Sequence, residues 1–383
     1  MPNVNPKNLL WARETASLTV EEAAKRIGFK GRSAIDKLQQ IERGDIRPTR
    51  STLEKMAKAY SRPLLALYVT TPPAEGQGAH DLRKLFEHNS SSEATLNAII
   101  RNLHVRQSVL RNGLEDEDEA EPIRWVGSVP SKAGSVQIAS LILEATGFDL
   151  TEFRSQRTVA AAFANAREAV EKLGVYVLLV GDLGHHSRKV SPKVFRGISL
   201  SDPLAPFIII NDNDSKSAWT FTLFHELTHI LIGESAISGY ATDSAEERLC
   251  DDTASKILLT SFDVQSVNVS NALEQQVADI ESAARRWKLS RKMVAYNLMR
   301  SGRISSEYYA ALAGKFDEDR VEYGSPRESG GADYYVVRAH RLGRHLIRTV
   351  NRMVSTGLLT APKAALVLGI RPTAVSQLTE VVT

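Results

Sequence analysis

A pair of histidines spaced for metal binding lies in the segment HELTH at positions 225–229. On a helix, residues four apart lie on one face, so the imidazoles of His225 and His229 can bind a single zinc ion. Glu226 lies beside the first ligand and can take a proton from zinc-bound water and pass it to the departing amine. The pattern predicts a zinc endopeptidase, with Mn2+ able to substitute in vitro. A purely structural zinc is the alternative, but structural sites favour cysteine ligands.

A catalytic zinc site also needs a third protein ligand and an open position for water. The extended signature HExxHxxGxxH is absent, because Ile232 and Ser235 occupy its later positions. In EERLCDD (246–252), Glu247 and Asp251 are four residues apart and share a helical face. We therefore expect Glu247 to be the third ligand. Asp251 is expected to accept a hydrogen bond from the free ring nitrogen of a ligand histidine and so to fix its tautomer.

Two assignments in this site have competitors. Glu246 competes with the neighbouring glutamate for the ligand position, but Cys250, rather than an acid, stands four residues after it. The reaction also needs a group that stabilises the oxyanion. The candidates are Tyr240, His185 and His186, and Tyr240 is the residue we predict for this catalytic role.

The elements that must position these residues are visible in the apolar pattern. VYVLLV (175–180) and FIIIND (207–212) are short, β-branched runs and predict strands, with FRGISL (195–200) as a third candidate. WTFTLFHELTHILIG (219–233) is apolar at helical spacing and stops at its final glycine. A further helix is predicted over about 245–259. The pattern thus predicts a catalytic helix packed against a small sheet.

Near the N-terminus, residues 18–60 have the spacing of a helix-turn-helix module. Thr19 and Glu22 form a capping-box signature, and Gly28 should end the same helix. The second helix would enter the major groove, where Gln can read adenine and Arg can read guanine. The predicted DNA-binding residues in this module are Arg32, Lys37, Gln39, Gln40 and Arg43. A helical bundle used for dimerisation or partner docking is the alternative.

A second basic region lies between Asp333 and Glu380, which has seven Lys or Arg residues and no acid. Five of its arginines follow steps of three or four and would lie on one helical face, with His345 beside them. They are Arg338, Arg341, Arg344, Arg348 and Arg352, of which the first four are predicted to bind DNA. Such a stripe can follow a nucleic-acid backbone. A solvated face, or pairing with the acidic block EDEDEAE (115–121), is the alternative.

Two further segments have a weaker helix-turn-helix pattern. They are RRWKLSRKMVAYNLM (285–299) and APKAALVLGIRPTAVSQL (361–378). For both, helices that only pack against the body of the protein are the alternative.

The composition is that of an ordinary globular chain, with 383 residues, 24% of them charged and 43% hydrophobic. This length allows two to four domains. No run of about 18 apolar residues occurs, so no membrane span is expected. The single cysteine and the absence of a secretory signal indicate a reducing cytoplasm.

The chain resembles, over nearly its whole length, the ImmA/IrrE metallo-endopeptidases that carry an N-terminal XRE-type helix-turn-helix. The resemblance is carried by IERGDIRPTRSTLEKMAKAYSRPLLALYVTTPP (41–73), FRGISLSDPLAPFIIINDNDSKSAWTFTLFHELTHILIGES (195–235) and ERLCDDTASKILL (247–259). It implies a gluzincin-like zinc site with Glu247 in the ligand position, and a regulatory role in which a DNA-binding repressor is cut. The sequence departs from the family by about four extra residues before IERG, and by Thr260 where Pro is common.

Taken together, these features predict an α+β, mostly helical protein. The predicted domains are an XRE-type helix-turn-helix domain (1–70), a linker and helical connector (71–133), a zinc metallopeptidase domain with a small β-sheet (134–262) and a C-terminal helical domain with the basic helix (263–383). The expected function is cleavage of a protein substrate, a repressor or the protein itself, with activation by duplex or single-stranded DNA as a further hypothesis. The alternative is a transcriptional regulator whose zinc domain only senses or stabilises.

Overall fold

The fold was derived from a computed structural model, which describes residues 4–14, 16, 18–31, 33–60, 62, 67–68, 91–116, 121–130, 132–182, 189–238, 244–323 and 333–380. The chain divides into two compact units, residues 1–104 with 183–190 (unit 1) and residues 105–182 with 191–383 (unit 2). Helices dominate, and the four described strands all lie in unit 2. The predicted α+β, mostly helical class is confirmed. The four predicted domain boundaries stay predictions.

Unit 1 begins with four helices around one apolar core. They are α1 (Pro6–Glu14), α2 (Val20–Ile27), α3 (Ala34–Arg43) and α4 (Arg50–Ala59). The Thr19 hydroxyl accepts a hydrogen bond from the Glu22 N–H, and the Glu22 carboxylate accepts one from the Thr19 N–H, which closes the predicted capping box. Gly28 ends α2 with a φ of 88°, as its sequence position predicted.

A buried ion pair ties the first and third helices together. The Arg13 Nε–H lies 2.8 and 3.0 Å from the two carboxylate oxygens of Glu42. The Tyr60 hydroxyl donates to the same carboxylate at 3.4 Å. Because Glu42 is 8% exposed, these donors compensate a charge that would otherwise be costly to bury.

Unit 2 contains a helical array around a small sheet, with no described helix long and apolar enough to cross a membrane. Helix α5 (Ser91–Glu115) contributes residues 105–115 to this unit. The remaining helices are α6 (Ser135–Thr146), α7 (Leu150–Ser155), α8 (Val159–Glu171), α9 (Lys216–Ile232), α10 (Ala245–Leu258), α11 (Ser261–Ser266), α12 (Leu273–Trp287), α13 (Arg291–Arg300), α14 (Ser306–Tyr323), α15 (Tyr334–Leu342), α16 (Arg344–Ser355), α17 (Ala361–Leu368) and α18 (Val375–Glu380), with a 3-10 turn at Pro372–Ala374.

The sheet has the strand order β1-β3-β2-β4. Its strands are β1 (Tyr176–Leu179), β2 (Gly197–Leu200), β3 (Phe207–Ile210) and β4 (Ala236–Ser238). β1 runs parallel to β3, whereas β2 is antiparallel to both β3 and β4. The first three strands lie within the runs predicted from the sequence, and β4 was not predicted. The β2–β4 register places Gly197 opposite Ser238.

Helix α9 carries the HELTH segment and is buried along most of its length. It packs against α8, α10, β2 and β3. Because these elements cover it on several sides, apolar residues occur all around the helix. Gly233 ends it with a φ of 83°, at the predicted residue. Helix α10, predicted over about 245–259, runs against α9 and α6.

The basic region at 338–352 does not form the single helix predicted for it. Gly343, with φ 81° and ψ 149°, separates α15 from α16. A Cβ at this position would overlap the side chains of Arg167 and Glu171, so glycine is the residue that fits there. The prediction of five arginines along one helical face was therefore wrong, because the face is interrupted between Arg341 and Arg344.

The ion pair between Arg154 and Asp263 contributes to the stability of unit 2. Arg154 donates to both Asp263 oxygens at 3.1 and 2.7 Å, and the Thr260 N–H and hydroxyl donate to the same carboxylate at 2.8 and 2.7 Å. Burial opposes these bonds, but they outweigh it and lower the pKa of Asp263. Thr260, which replaces the proline common in the family, is thus the cap of α11.

We expect Asp263→Asn to destabilise unit 2 by about 1–3 kcal/mol at neutral pH, because a cap and a paired charge are lost together. A folded-state pKa below the unfolded one gives stability above the unfolded pKa, which is lost as the pH falls through the folded pKa. The variant should therefore lose less stability than the parent on acidification. Urea unfolding at neutral and acid pH measures this. Asp317→Asn, which removes an exposed pair with Lys292, is the control and should cost less than about 1 kcal/mol.

Candidate metal centre

Two adjacent helices bring the predicted ligands together. His225 and His229 project from one face of α9, and their Nε2 atoms lie 3.3 Å apart. Glu247, on α10, places one oxygen 3.3 Å from the His225 Nε2 and the other 3.2 Å from the His229 Nε2. Two ring nitrogens and both oxygens of one carboxylate thus converge, and both imidazoles are at most 4% exposed.

These distances fit a small tetrahedral ion. Bonds of about 2.0–2.1 Å to nitrogen or oxygen place two ligand atoms of a tetrahedron about 3.3–3.4 Å apart. The two ring nitrogens are 3.3 Å apart, and each lies 3.3 or 3.2 Å from a different oxygen of Glu247, which is the same range. Donor type points the same way, because neutral imidazoles and one carboxylate are the ligands of catalytic zinc sites. The residues present therefore fit a bound divalent ion.

Asp251 holds the first histidine in place. Its Oδ1 accepts a hydrogen bond from the His225 Nδ1–H at 2.8 Å, which leaves the Nε2 facing the other donor atoms. Burial alone would lower the pKa of His225, but the Asp251 and Glu247 carboxylates outweigh it and raise that pKa to about 10. The two imidazoles likewise overcome burial and lower the pKa of Glu247 to about 2. Without metal, His225 is thus an imidazolium, and metal binding must release its proton.

Glu226 lies on the other side of the same helix turn and is fully buried. The Ser238 hydroxyl on β4 donates to its Oε1, while its Oε2 has no partner among the described residues. Gly197, opposite Ser238 on β2, leaves room for this carboxylate, which a Cβ would overlap. Burial raises the pKa of Glu226, and the two neighbouring imidazoles oppose this rise. A carboxylate with a raised pKa and one unpartnered oxygen is suited to exchange a proton.

The comparisons with known proteins agree with this geometry. Residues 170–299 match the Peptidase_M78 family, described as the IrrE N-terminal-like domain. The chain contains an ImmA/IrrE peptidase-like domain. Residues 9–65 match a helix-turn-helix domain, so this chain also has a DNA-binding module. The family is generally metal-dependent. No curated protein and no solved structure matches the chain.

Within the ImmA/IrrE peptidase-like domain, the structure separates Glu247 from its competitor. Glu246 is exposed on α10, whereas Glu247 contacts both imidazoles. The three residues considered as oxyanion stabilisers, His185, His186 and Tyr240, lie outside the described residues.

Sequence reasoning missed three residues of this domain that surround the ligands. Ser238 and Gly197 lie next to Glu226 on the paired strands β4 and β2. β4 has only three residues, which is too few to show the alternating pattern of a strand. The third is Cys250. Its sulfur, a ring nitrogen of His225 and a ring nitrogen of His229 all lie within 4.8 Å of one another. Burial raises the pKa of this thiol, so it is protonated near neutral pH. The sequence does place Cys250 three residues after Glu247, on the same face of a predicted helix, and this spacing could have indicated that the two lie close together.

The predicted DNA-binding residues of the N-terminal module lie on or next to α3. Lys37, Gln40 and Arg43 are exposed at intervals of three, Gln39 is half-buried, and Arg32 lies outside the described residues. The Lys37 ammonium lies 5.1 Å from the Phe29 ring centroid.

The four arginines of the predicted basic helix have different environments. The Arg338 guanidinium donates to the backbone oxygens of Leu368 and Gly369. Arg341 pairs with Asp182 at 3.0 Å and with Asp212 at 2.7 Å. Only Arg344 and Arg348 are exposed. The guanidinium groups of Arg338 and Arg341 thus make contacts inside unit 2, and DNA binding by the four arginines stays a prediction.

We expect Asp251→Asn to weaken metal binding about 10–100-fold, because an outer hydrogen bond that orients a ligand histidine is typically worth that much. Asp252→Asn, its neighbour on α10, is the control, since Asp252 pairs with Arg300 instead. Competition with a chromophoric chelator measures both affinities. Equal affinities of the two variants would contradict a metal-positioning role for Asp251.

Proposed function

We propose that this chain is a zinc-dependent endopeptidase that cleaves a regulatory protein and carries its own DNA-binding module. The observation that carries the proposal is the convergence of two imidazole nitrogens and the Glu247 carboxylate, 3.2–3.3 Å from one another, beside the buried Glu226 carboxylate, one oxygen of which has no partner among the described residues. A structural site would not need Glu226, whose burial without a second partner is costly. The ImmA/IrrE peptidase-like domain and the helix-turn-helix match support the two halves of the proposal.

The ligand residues would be His225, His229 and Glu247, with Asp251 orienting the first. When bound there, zinc polarises the scissile carbonyl and lowers the pKa of a coordinated water to about 7. Zinc is favoured over Mg2+ and Ca2+ because two of the three donors are imidazoles, which hard cations avoid. Mn2+ is weaker in the same donor set and is expected to substitute only in vitro.

Glu226 is the proposed proton carrier. The Ser238 hydroxyl holds its Oε1, so the carboxylate presents its Oε2, the oxygen without a partner. That oxygen takes a proton from the attacking water and returns it to the leaving amine. Because Glu226 is fully buried, its carboxylate is shielded from bulk water between the two transfers. Tyr240 stays our prediction for the oxyanion-stabilising group.

The substrate is a protein, for which the peptidase-like domain is the support, and a DNA-bound repressor or the chain itself is the proposed target. The DNA-binding module would bring the peptidase to a repressor's site on DNA. Activation by duplex or single-stranded DNA is part of the proposal, and the exposed Arg344 and Arg348 are among the arginines of the basic region that can contact a backbone.

We expect Glu226→Gln to keep stoichiometric zinc and to lose cleavage by a factor of about 100 to 10,000, because a general base typically contributes that much. The purified protein is incubated with zinc, with and without single-stranded or duplex DNA, and fragments of itself and of a candidate repressor are followed by mass spectrometry. Glu246→Gln, one residue before a ligand but exposed, is the matched control and should cleave normally. Cleavage by the Glu226 variant at the parental rate would refute the mechanism.

A transcriptional regulator that senses metal is the second candidate, and the observation that favours it is the separate core of unit 1. In that case the chain should bind duplex DNA and lack peptidase activity in every condition. We expect duplex binding by the N-terminal module to survive removal of zinc with a chelator, because none of its core residues belongs to the metal centre. A mobility-shift titration with and without chelator tests this. Loss of binding on zinc removal would contradict it, and Lys37→Ala should weaken binding in both states.

A further inference from the structure

Helices α17 and α18 form a helix-turn-helix that neither family match reaches, since the matches end at residues 65 and 299. Helix α17 ends at Gly369, whose φ is 62°, and the chain re-enters helical geometry at Pro372. Three residues, 369–371, thus form the turn. A turn of three or four residues that contains glycine is the geometry of DNA-binding helix-turn-helix motifs.

The two helices and α16 form a small unit with its own apolar contacts. α16, α17 and α18 pack against one another. The fully or nearly buried side chains of this unit are Leu346, Ile347, Val350, Met353, Ala364, Ala365, Val367, Leu368, Val375 and Leu378. Among the residues of α18 whose exposure is described, Val375 and Leu378, three residues apart, are buried, whereas Ser376, Gln377 and Glu380 are exposed.

The turn is held rigidly by two arginines from other helices. The Arg338 guanidinium on α15 donates to the backbone oxygens of Leu368 and Gly369 at 3.1 and 2.6 Å. The Arg106 Nε–H on α5 donates to the Val367 oxygen at 2.6 Å. These donors satisfy the carbonyl groups left open at the end of α17 and suit the negative end of its dipole. A Cβ on Gly369 would approach the Arg338 guanidinium to 2.8 Å, so glycine is also required sterically.

The exposed side of the second helix carries groups that recognise bases. Arg371, Thr373 and Gln377 are exposed at its start and middle, and Lys363 is exposed on α17. The Tyr335 hydroxyl donates to the Gln377 side-chain oxygen and so restrains that amide. Arg and Gln are the side chains that read guanine and adenine in the major groove. No acid occurs from 334 to 379, and the exposed Glu380 stands at the far end of the helix, away from the residues that would enter the groove.

We infer that residues 344–380 are a second DNA-reading module, with the 3-10 turn Pro372–Ala374 and α18 in the major groove of duplex DNA and α17 across the backbone. The inference is independent of the metal centre and of the N-terminal module. A purely packing role accounts for the apolar face, but not for a rigidly anchored turn that presents an acid-free polar face to solvent. In this module, Arg338 positions the turn through its hydrogen bonds to Leu368 and Gly369 and does not itself contact DNA.

The test uses the full chain with Lys37→Ala, Gln40→Ala and Arg43→Ala combined, which removes the exposed contacts of the N-terminal module. This protein selects duplexes from a random-sequence pool, and fluorescence anisotropy then measures its affinity for a selected duplex and for the corresponding single strand across salt concentrations. Arg371→Ala with Gln377→Ala is added to the same background. Arg157→Ala with Gln275→Ala, an exposed arginine and glutamine elsewhere in unit 2, is the matched control.

We expect the pool to converge on a shared sequence. Arg371→Ala with Gln377→Ala should lower duplex affinity about tenfold or more, as the loss of base contacts does, and the control pair should leave it unchanged. Melting curves of both double variants should match the parent, because the four side chains are exposed. The inference is overturned if the background protein binds no duplex, if its duplex affinity is the same with and without Arg371 and Gln377, or if only single-strand affinity falls.

Discussion

Removing His225, Glu226 and His229 from water is the constraint on which the rest of unit 2 depends. A buried charge is tolerated only when partners compensate it. Here the compensation comes from α10, which supplies Glu247 and Asp251 to the imidazoles, and from β4, which supplies a hydroxyl to the carboxylate. The helix pair α9–α10 and the β2–β4 edge of the sheet must therefore both be in place before the three side chains can be buried at low cost.

That requirement accounts for much of the local sequence. The apolar residues on every side of α9 follow from its position between two helices and two strands. Gly233 lets the chain turn directly into the strand that carries Ser238, and Gly197 keeps the opposite strand clear of Glu226. The ion pair between Arg154 and Asp263 then ties α7 to the start of α11, the element that follows α10.

The parts of the molecule that the sequence predicted are those encoded by local spacing. Helical periodicity and i, i+4 pairs were enough for the ends of α2 and α9 and for the selection of Glu247 over Glu246. The parts that were missed depend on contacts between distant residues or on a single backbone torsion. β4 has too few residues to show an alternating pattern, so the contact of Ser238 with Glu226 could not be seen. The arginine spacing from 338 to 352 was compatible with one helix, and only packing against Arg167 and Glu171 explains why Gly343 interrupts it.

Gly197 and Ser238, the two residues that define the environment of Glu226, are direct partners across β2 and β4. Side chains alternate between the two faces of a strand. A register slip of one residue would therefore turn the Ser238 hydroxyl away from Glu226. The state of the carboxylate thus depends on correct strand registration. It also depends on chain order, because β4 and α10 are synthesised after the HELTH segment. A nascent chain that has emerged only as far as α9 has both histidines and the glutamate, but it lacks Ser238, Glu247 and Asp251. The centre therefore cannot be complete until α10 has been synthesised.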